Sequence, residues 1–207
     1  MKRTENGAKN PSVALYILNI SARLVLICAL IALLVATVNY FTKDVIIENQ
    51  NKATREAISE LYTGAEIVIS ELEGKENFYH ETVNTVYGIS DTESNFLGYC
   101  VKLSPMGFKG KVDLLVAVGT DGLIGGVEIV STNEETSGIG TKITNPSFTS
   151  QFVETEDYKI SDNASDYVIS GATKTSKPVA QSIIHAKDTV KKLIENQSSQ
   201  NQEVTYE

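Results

Sequence analysis

Between Arg23 and Lys43 the chain carries no charge. The run begins LVLICALIALLVATV at Leu24 and stays uncharged to Thr42. As a helix, Leu24–Phe41 would span ~27 Å, close to the thickness of a bilayer's hydrocarbon core. A segment this apolar has no place in a small globular core, so it divides the chain into an anchor and a domain. Arg23 falls at the inner interface, where its long stem can snorkel toward headgroups. Tyr40 and Phe41 fall at the outer one, where aromatic rings are favoured. A retained anchor is expected rather than a cleaved signal peptide. The run is too long for a signal, and no small-residue cleavage site follows it closely.

Charge orients the anchor. Of 207 residues, the first 23 carry Lys2, Arg3, Lys9 and Arg23 against Glu5, a balance of +3 within a total of −8. The remainder is therefore −11, which argues against nucleic acid as a partner. Basic flanks are retained on the cytoplasmic side. The expected location is thus the cell (inner) membrane, single-pass, with the domain extracytoplasmic. Hydrophobic residues make up 42% of the chain, enough for one domain with a real core. The two cysteines, Cys28 and Cys100, form no CxxC or His–Cys cluster, so no metal site is expected.

Five segments follow: a cytoplasmic end (1–23), the anchor (24–42), a linker helix (43–80), the domain (81–195) and a disordered tail (196–207). Ala53, Ala57, Leu61 and Ala65 put one helical face on the linker to about Leu72, and Gly74–His80 is turn-rich. Four strands are expected, at Thr82–Ile89, Leu97–Leu103, Val112–Val118 and Ile124–Thr132. Asp121-Gly122 signals a hairpin turn before the last of them. Pro146–Phe152 reads as a short helix, Tyr158–Ile169 as a weak strand and a turn, and Pro178–Ile194 as a long amphipathic helix. The fold class is α+β, a mostly antiparallel sheet with packed helices.

Two stretches carry chemistry. Ser170-Gly171-Ala172-Thr173-Lys174-Thr175-Ser176 reads as a strand end, a tight turn and a helix start. Its small residues let a planar ligand approach the backbone. Its hydroxyls sit where a helix leaves N–H groups unpaired, a place that favours phosphate. Asn133-Glu134-Glu135-Thr136-Ser137-Gly138-Ile139-Gly140 places two glycines after a strand, with backbone amides expected to face a ligand. His80 and His185 lie in no carboxylate pattern and read as surface or packing residues. No dinucleotide fingerprint, Walker loop or nucleophile elbow occurs.

The string S-G-A-T-x-[ST]-S resembles the flavin-attachment motif of the G subunit of Rnf electron-transport complexes. The C subunit of sodium-pumping NADH:quinone reductases looks similar. The resemblance extends over Gly98-Tyr99-Cys100-Val101, Ser104-Pro105, Gly107-Phe108-Lys109-Gly110, Asp121-Gly122…Gly126-Val127 and Asn145-Pro146-x-Phe148-x-x-Gln151-Phe152. It implies FMN bound covalently by a phosphoester to Thr173, with a flavin transferase making the bond. Ser170, Gly171 and Ala172 would shape the turn, and Thr175 would help hold the phosphate. Glu135, Thr136, Gly138, Ile139 and Gly140 would border the flavin. In the family the loop reads E-T-P-G-L-G; here Ser137 replaces the Pro and Ile139 the Leu. The family's usual acidic residue three before the motif's Ser is Tyr167 here, with Asp166 one place earlier. The implied function is an electron relay in an ion-translocating ferredoxin:NAD oxidoreductase, with the other membrane and redox subunits as partners. Two alternatives stay open: the quinone reductase's C subunit, and a non-redox extracytoplasmic module that keeps the fold.

Overall fold

The strands read from alternating apolar residues pair in chain order. The computed structural model describes residues 11–62, 66–72, 80–132 and 135–203. The chain has two compact units, residues 1–51 and 52–207. Residues 11–51 of the first lie in a helix, α1 (Pro11–Leu61), whose last turns belong to the other unit. Its most apolar 18-residue window has a mean hydropathy of 2.5, and none of that window is buried in the protein. Among the described residues it is the one helix long and apolar enough to cross a membrane.

The second unit is built on a five-stranded antiparallel meander: β1 (Ile67–Glu71), β2 (Val83–Asp91), β3 (Phe96–Leu103), β4 (Asp113–Gly119) and β5 (Ile124–Ser131). The β4–β5 hairpin turns at Asp121-Gly122 as its sequence signals. Gly122 takes a φ of +78°, and the Asp121 carboxylate accepts the Leu123 N–H at 3.0 Å. After β5 come a 3-10 turn (Gly140–Thr144), α2 (Pro146–Thr149), two further 3-10 turns and the long α3 (Thr173–Glu203).

Both faces of the central strands are covered. Tyr99, Val101, Leu103, Leu114, Val116 and Val118 face one core with Val179, Ile183, Val190 and Leu193 of α3. Cys100, Leu115 and Ile89 point the other way, against Ala57 and Ile58 of α1. The Tyr62 hydroxyl donates to the Tyr99 carbonyl at 2.8 Å and ties the helix end to β3. The α+β class, with a mostly antiparallel sheet, holds.

Several boundaries differ from expectation. The helical pattern expected to about Leu72 ends at Leu61, and Ile67–Glu71 is a strand paired with β2. Ile67, Val68 and Ile69 are β-branched, and the open edge of β2 offers backbone partners that an isolated helix cannot match. The segment 158–169 forms no strand; Ala164–Tyr167 is a 3-10 turn. Asn163 caps it, its side chain accepting the Ser165 N–H at 3.1 Å. The segment from Asn196, expected to be disordered, is helical to Glu203, because no Gly or Pro interrupts it. Residues 1–10, 204–207 and most of the turn at 74–80 lie outside the described residues.

A buried carboxylate that the sequence did not single out closes the unit. Glu154 accepts the N–H groups of Ile124 (3.1 Å) and Ile160 (3.0 Å) and the Lys187 ammonium at 2.7 Å. It pins the start of β5 and the 153–160 stretch to α3.

Ile58 is fully buried between helix and sheet. Ile58→Ala should lower the unfolding free energy of the detergent-solubilised chain by about 2–5 kcal/mol in a denaturant titration. A change near zero would mean that the end of α1 contributes nothing to the sheet's second core.

Candidate functional site

The local chain path places Thr173 at the first exposed turn of α3. Val168 is extended, and Gly171 then takes a φ of +82°, a left-handed conformation in which a Cβ is strained. The Ala172 carbonyl accepts the N–H groups of Thr175 (3.0 Å) and Ser176 (2.9 Å), which makes Ala172 the cap. Ser176 braces the turn, its Oγ donating to the Ala172 carbonyl (3.1 Å) and accepting the Ile169 N–H (3.0 Å). The helix thus begins five residues before Pro178, and Pro178 is accommodated inside it.

The hydroxyls of this motif divide sharply. Thr175 is 1% exposed and donates to the Glu135 carboxylate at 2.8 Å. Ser176 is buried in the turn. Ser170 is exposed and lies off the cleft. Thr173 is exposed, and its hydroxyl makes no hydrogen bond among the described residues. The N–H groups of Thr173 and Lys174 open the helix and have no intrahelical acceptor.

The Gly-containing loop arrives opposite. Glu135 is 8% exposed, and its carboxylate also accepts the Lys109 N–H at 3.1 Å. A Cβ on Gly107 or Gly140 would run into that carboxylate, so both glycines are close-approach positions. Burial pushes the Glu135 carboxyl up. The Thr175 hydroxyl and the N–H groups of Lys109, Phe108 and Gly110 outweigh that and hold it below the usual range. The amides expected to face a ligand are not free. Ile139 and Gly140 donate to the Thr136 carbonyl at 3.1 and 2.9 Å, and Gly138 donates to the Thr141 hydroxyl at 2.9 Å. The loop closes on itself, because a run of N–H groups near one carbonyl satisfies itself before it waits for a ligand. Asn133 and Glu134 lie outside the described residues.

The two stretches, some 35 residues apart in sequence, form opposite walls of one cleft of about 320 Å³. Gly171, Ala172, Thr173 and Thr175 line one side and Glu135, Thr136, Ile139 and Gly140 the other. Of the expected site residues, Ser170 and Gly138 do not line it. Gly138 is there for its φ of +72°, with nothing near its Cβ position. Phe108 and Lys174 also line the cleft, and sequence reasoning gave neither a role. The Lys174 ammonium lies 5.2 Å from the centroid of the Phe108 ring, joining the β3–β4 turn to α3. The exposed aromatic in Gly107-Phe108-Lys109-Gly110 was the available signal. Asp166 is drawn away, bonded to Ser161 and Asn163. Tyr167 is core, 4.6 Å from the Phe152 ring, with its hydroxyl accepting the Ser161 N–H.

The arrangement is a half-open slot with apolar side chains at its mouth, an unbonded hydroxyl and a helix N-terminus: a site for a flat ligand bearing a phosphate. Residues 107–188 match the FMN-binding domain family, a span that contains both walls. The chain is 30% identical over 147 residues to the G subunit of the ion-translocating oxidoreductase complex of Methanosarcina acetivorans, covering 69% of this chain and 76% of that one. It is 27% identical over 177 residues to the G subunit of the proton-translocating ferredoxin:NAD(+) oxidoreductase complex of Clostridium ljungdahlii, covering 83% and 90%. Over 104 residues it is 31% identical to the G subunit of the Na(+)-translocating ferredoxin:NAD(+) oxidoreductase complex of Acetobacterium woodii, covering 46% and 50%. This is a redox-complex subunit with an FMN-binding domain. The chain belongs to the G-subunit family of ion-translocating oxidoreductase complexes, the Rnf family.

Because the folded Glu135 value is depressed, its stabilisation is complete above the ordinary 4.5 and is lost as pH falls through its lower folded value. Glu135→Gln should therefore cost about 1–3 kcal/mol at neutral pH and flatten the loss of stability below 4.5. Denaturant midpoints measured across acid pH would read this. An acid limb as steep as wild type would remove Glu135 as the brace.

Proposed function

We propose that this chain is a membrane-anchored electron-transfer subunit that carries FMN as a phosphoester on Thr173. The carrying observation is the partition of hydroxyls at the start of α3. Thr175 and Ser176 are buried and hydrogen-bonded, whereas the Thr173 hydroxyl is exposed on the cleft wall with no partner among the described residues. The residues fit the group. The unpaired N–H groups of Thr173 and Lys174 and the helix dipole favour a phosphate beside the ester oxygen. Phe108 and Ile139 offer apolar contact to a ring, and Gly171 and Ala172 leave room for it beside the backbone. When bound, FMN supplies one-electron transfer between the complex's donors and acceptors.

The chain's own groups position and shield. Glu135 keeps the loop and α3 at a fixed separation. Lys174, held over Phe108, would add a positive charge to a cleft wall that favours a phosphate-bearing ligand. A flavin transferase would make the bond, with the other membrane and redox subunits supplying and accepting electrons. A covalent tether suits an extracytoplasmic domain, where a dissociated cofactor would be lost. The relatives, all from ion-translocating oxidoreductase complexes, favour an Rnf-type complex over the quinone reductase alternative.

Thr173→Val keeps the shape and removes the ester oxygen. In a denaturing gel the wild-type band should fluoresce under blue light and the variant band should not. Fluorescence that survived in Thr173→Val but vanished in Thr175→Val would move the ester to Thr175 and contradict the assignment.

Orientation has its own test. A cysteine replacing Ser198 in a Cys28→Ala background should react with a membrane-impermeant maleimide in intact cells, with any outer membrane opened. Cys100 stays silent, because burial pushes its thiol up to about 12. Labelling only after lysis would put the domain in the cytoplasm.

A further inference from the structure

Six large apolar side chains are more than two-fifths exposed among the described residues of the second unit: Val68, Phe96, Met106, Phe108, Ile139 and Tyr158. They are not scattered evenly. Phe108 (57%) and Ile139 (47%) line the cleft, and Met106 (61%) stands two residues from Phe108 on the same turn. The turn is held firmly. Met106 and Lys111 form a β-bridge, Gly107 donates to the Gly110 carbonyl at 2.8 Å, and Val112 donates to that of Pro105 at 3.0 Å. Glu135 grips it from beneath through the Lys109 N–H. A buried carboxylate therefore braces a turn whose apolar side chains face outward.

The charge around this rim runs against the rest of the chain. Lys109 and Lys111 are exposed on the same turn and Lys174 reaches over Phe108. None of the three has a carboxylate partner among the described residues. Among the described residues of the loop opposite, the carboxylate is Glu135, which is buried and bonded inward. An apolar centre with lysines at its border is the anatomy of a protein interface: apolar and aromatic side chains in the middle, charge at the edge.

We propose that this rim, centred on Met106, Phe108 and Ile139 and bordered by Lys109, Lys111 and Lys174, is the docking face for an acidic, apolar-centred patch on the neighbouring subunit that exchanges electrons with the cleft. The inference rests on the proposed function. Electron transfer weakens steeply with distance, and the mouth of the cleft is the short way to anything bound inside it. Electron-transfer encounters are small and transient, below about 1,200 Å² in total. Three apolar side chains and a lysine border suit that scale. The lysines steer the encounter and the apolar centre excludes water at contact. A lipid surface seated here would close the mouth against every redox partner, which favours a protein.

The test uses native membranes containing the whole complex. Peptide mass spectrometry of the segment 167–177 first establishes that flavin is on Thr173 in wild type and in the Lys109→Glu/Lys111→Glu double variant; wild type without it would sink the proposed function, separately from this inference. Reduction of that flavin is then followed by stopped-flow at low and high salt. Wild type should slow as salt rises. The double variant should be at least about tenfold slower at low salt and should speed up as salt rises. A Lys191→Glu/Lys192→Glu control on exposed positions in the second half of α3 should keep the wild-type salt slope. A photo-reactive residue replacing Met106 should cross-link to an acidic segment of a redox subunit. Unchanged rates, an equal effect in the control, or cross-links to lipid, to a second copy or to the flavin transferase alone would overturn the proposal.

Discussion

One buried carboxylate holds three separate stretches of the domain together. Glu135 takes the Thr175 hydroxyl from α3 and the Lys109 N–H from the β3–β4 turn while sitting on the loop after β5. Its neighbours make the contact tight, since Gly107 and Gly140 leave it the space that a Cβ would fill. Burying an ionised group is costly unless its oxygens are bonded, and here the bonds outweigh the burial. Without this brace the two walls of the cleft have no direct polar link among the described residues. The spacing of the slot's walls and the hold on the β3–β4 turn depend on it.

The fold around this brace sorts the motif's hydroxyls by role. Four hydroxyls fall within seven residues, and composition treats them alike. Packing does not. Thr175 points inward to Glu135, Ser176 ties the turn, Ser170 lies outside the slot, and Thr173 alone stands unbonded on its wall. A chemical step that needs an accessible oxygen next to a phosphate-favouring helix end therefore has one candidate. This selection is a property of the fold rather than of the string.

Much of this was legible beforehand. The central strands announced themselves by alternation, and Asp121-Gly122 fixed a hairpin. Eight of the ten expected site residues share one cleft. What escaped has physical reasons. Ile67–Glu71 looked like more helix because its pattern is too short to show a period, and its pairing with β2 is a long-range choice. Glu154 is one acidic residue among many until three segments converge on it. The amides of the 135–140 loop looked available, yet local carbonyls took them. Phe108 and Lys174 meet across the cleft only once the β3–β4 turn folds toward α3. Most of these misses involve a partner distant in sequence, which local pattern cannot supply.

The central claim is that Thr173 carries FMN through its side-chain oxygen. The direct measurement is the intact mass of protein purified from its native membranes, followed by proteolysis and fragmentation of the peptide that spans 167–177. The expected result is an added mass equal to one FMN less one water, located on Thr173. An unmodified chain from a host with an active flavin transferase, or the same mass on another residue, would contradict it.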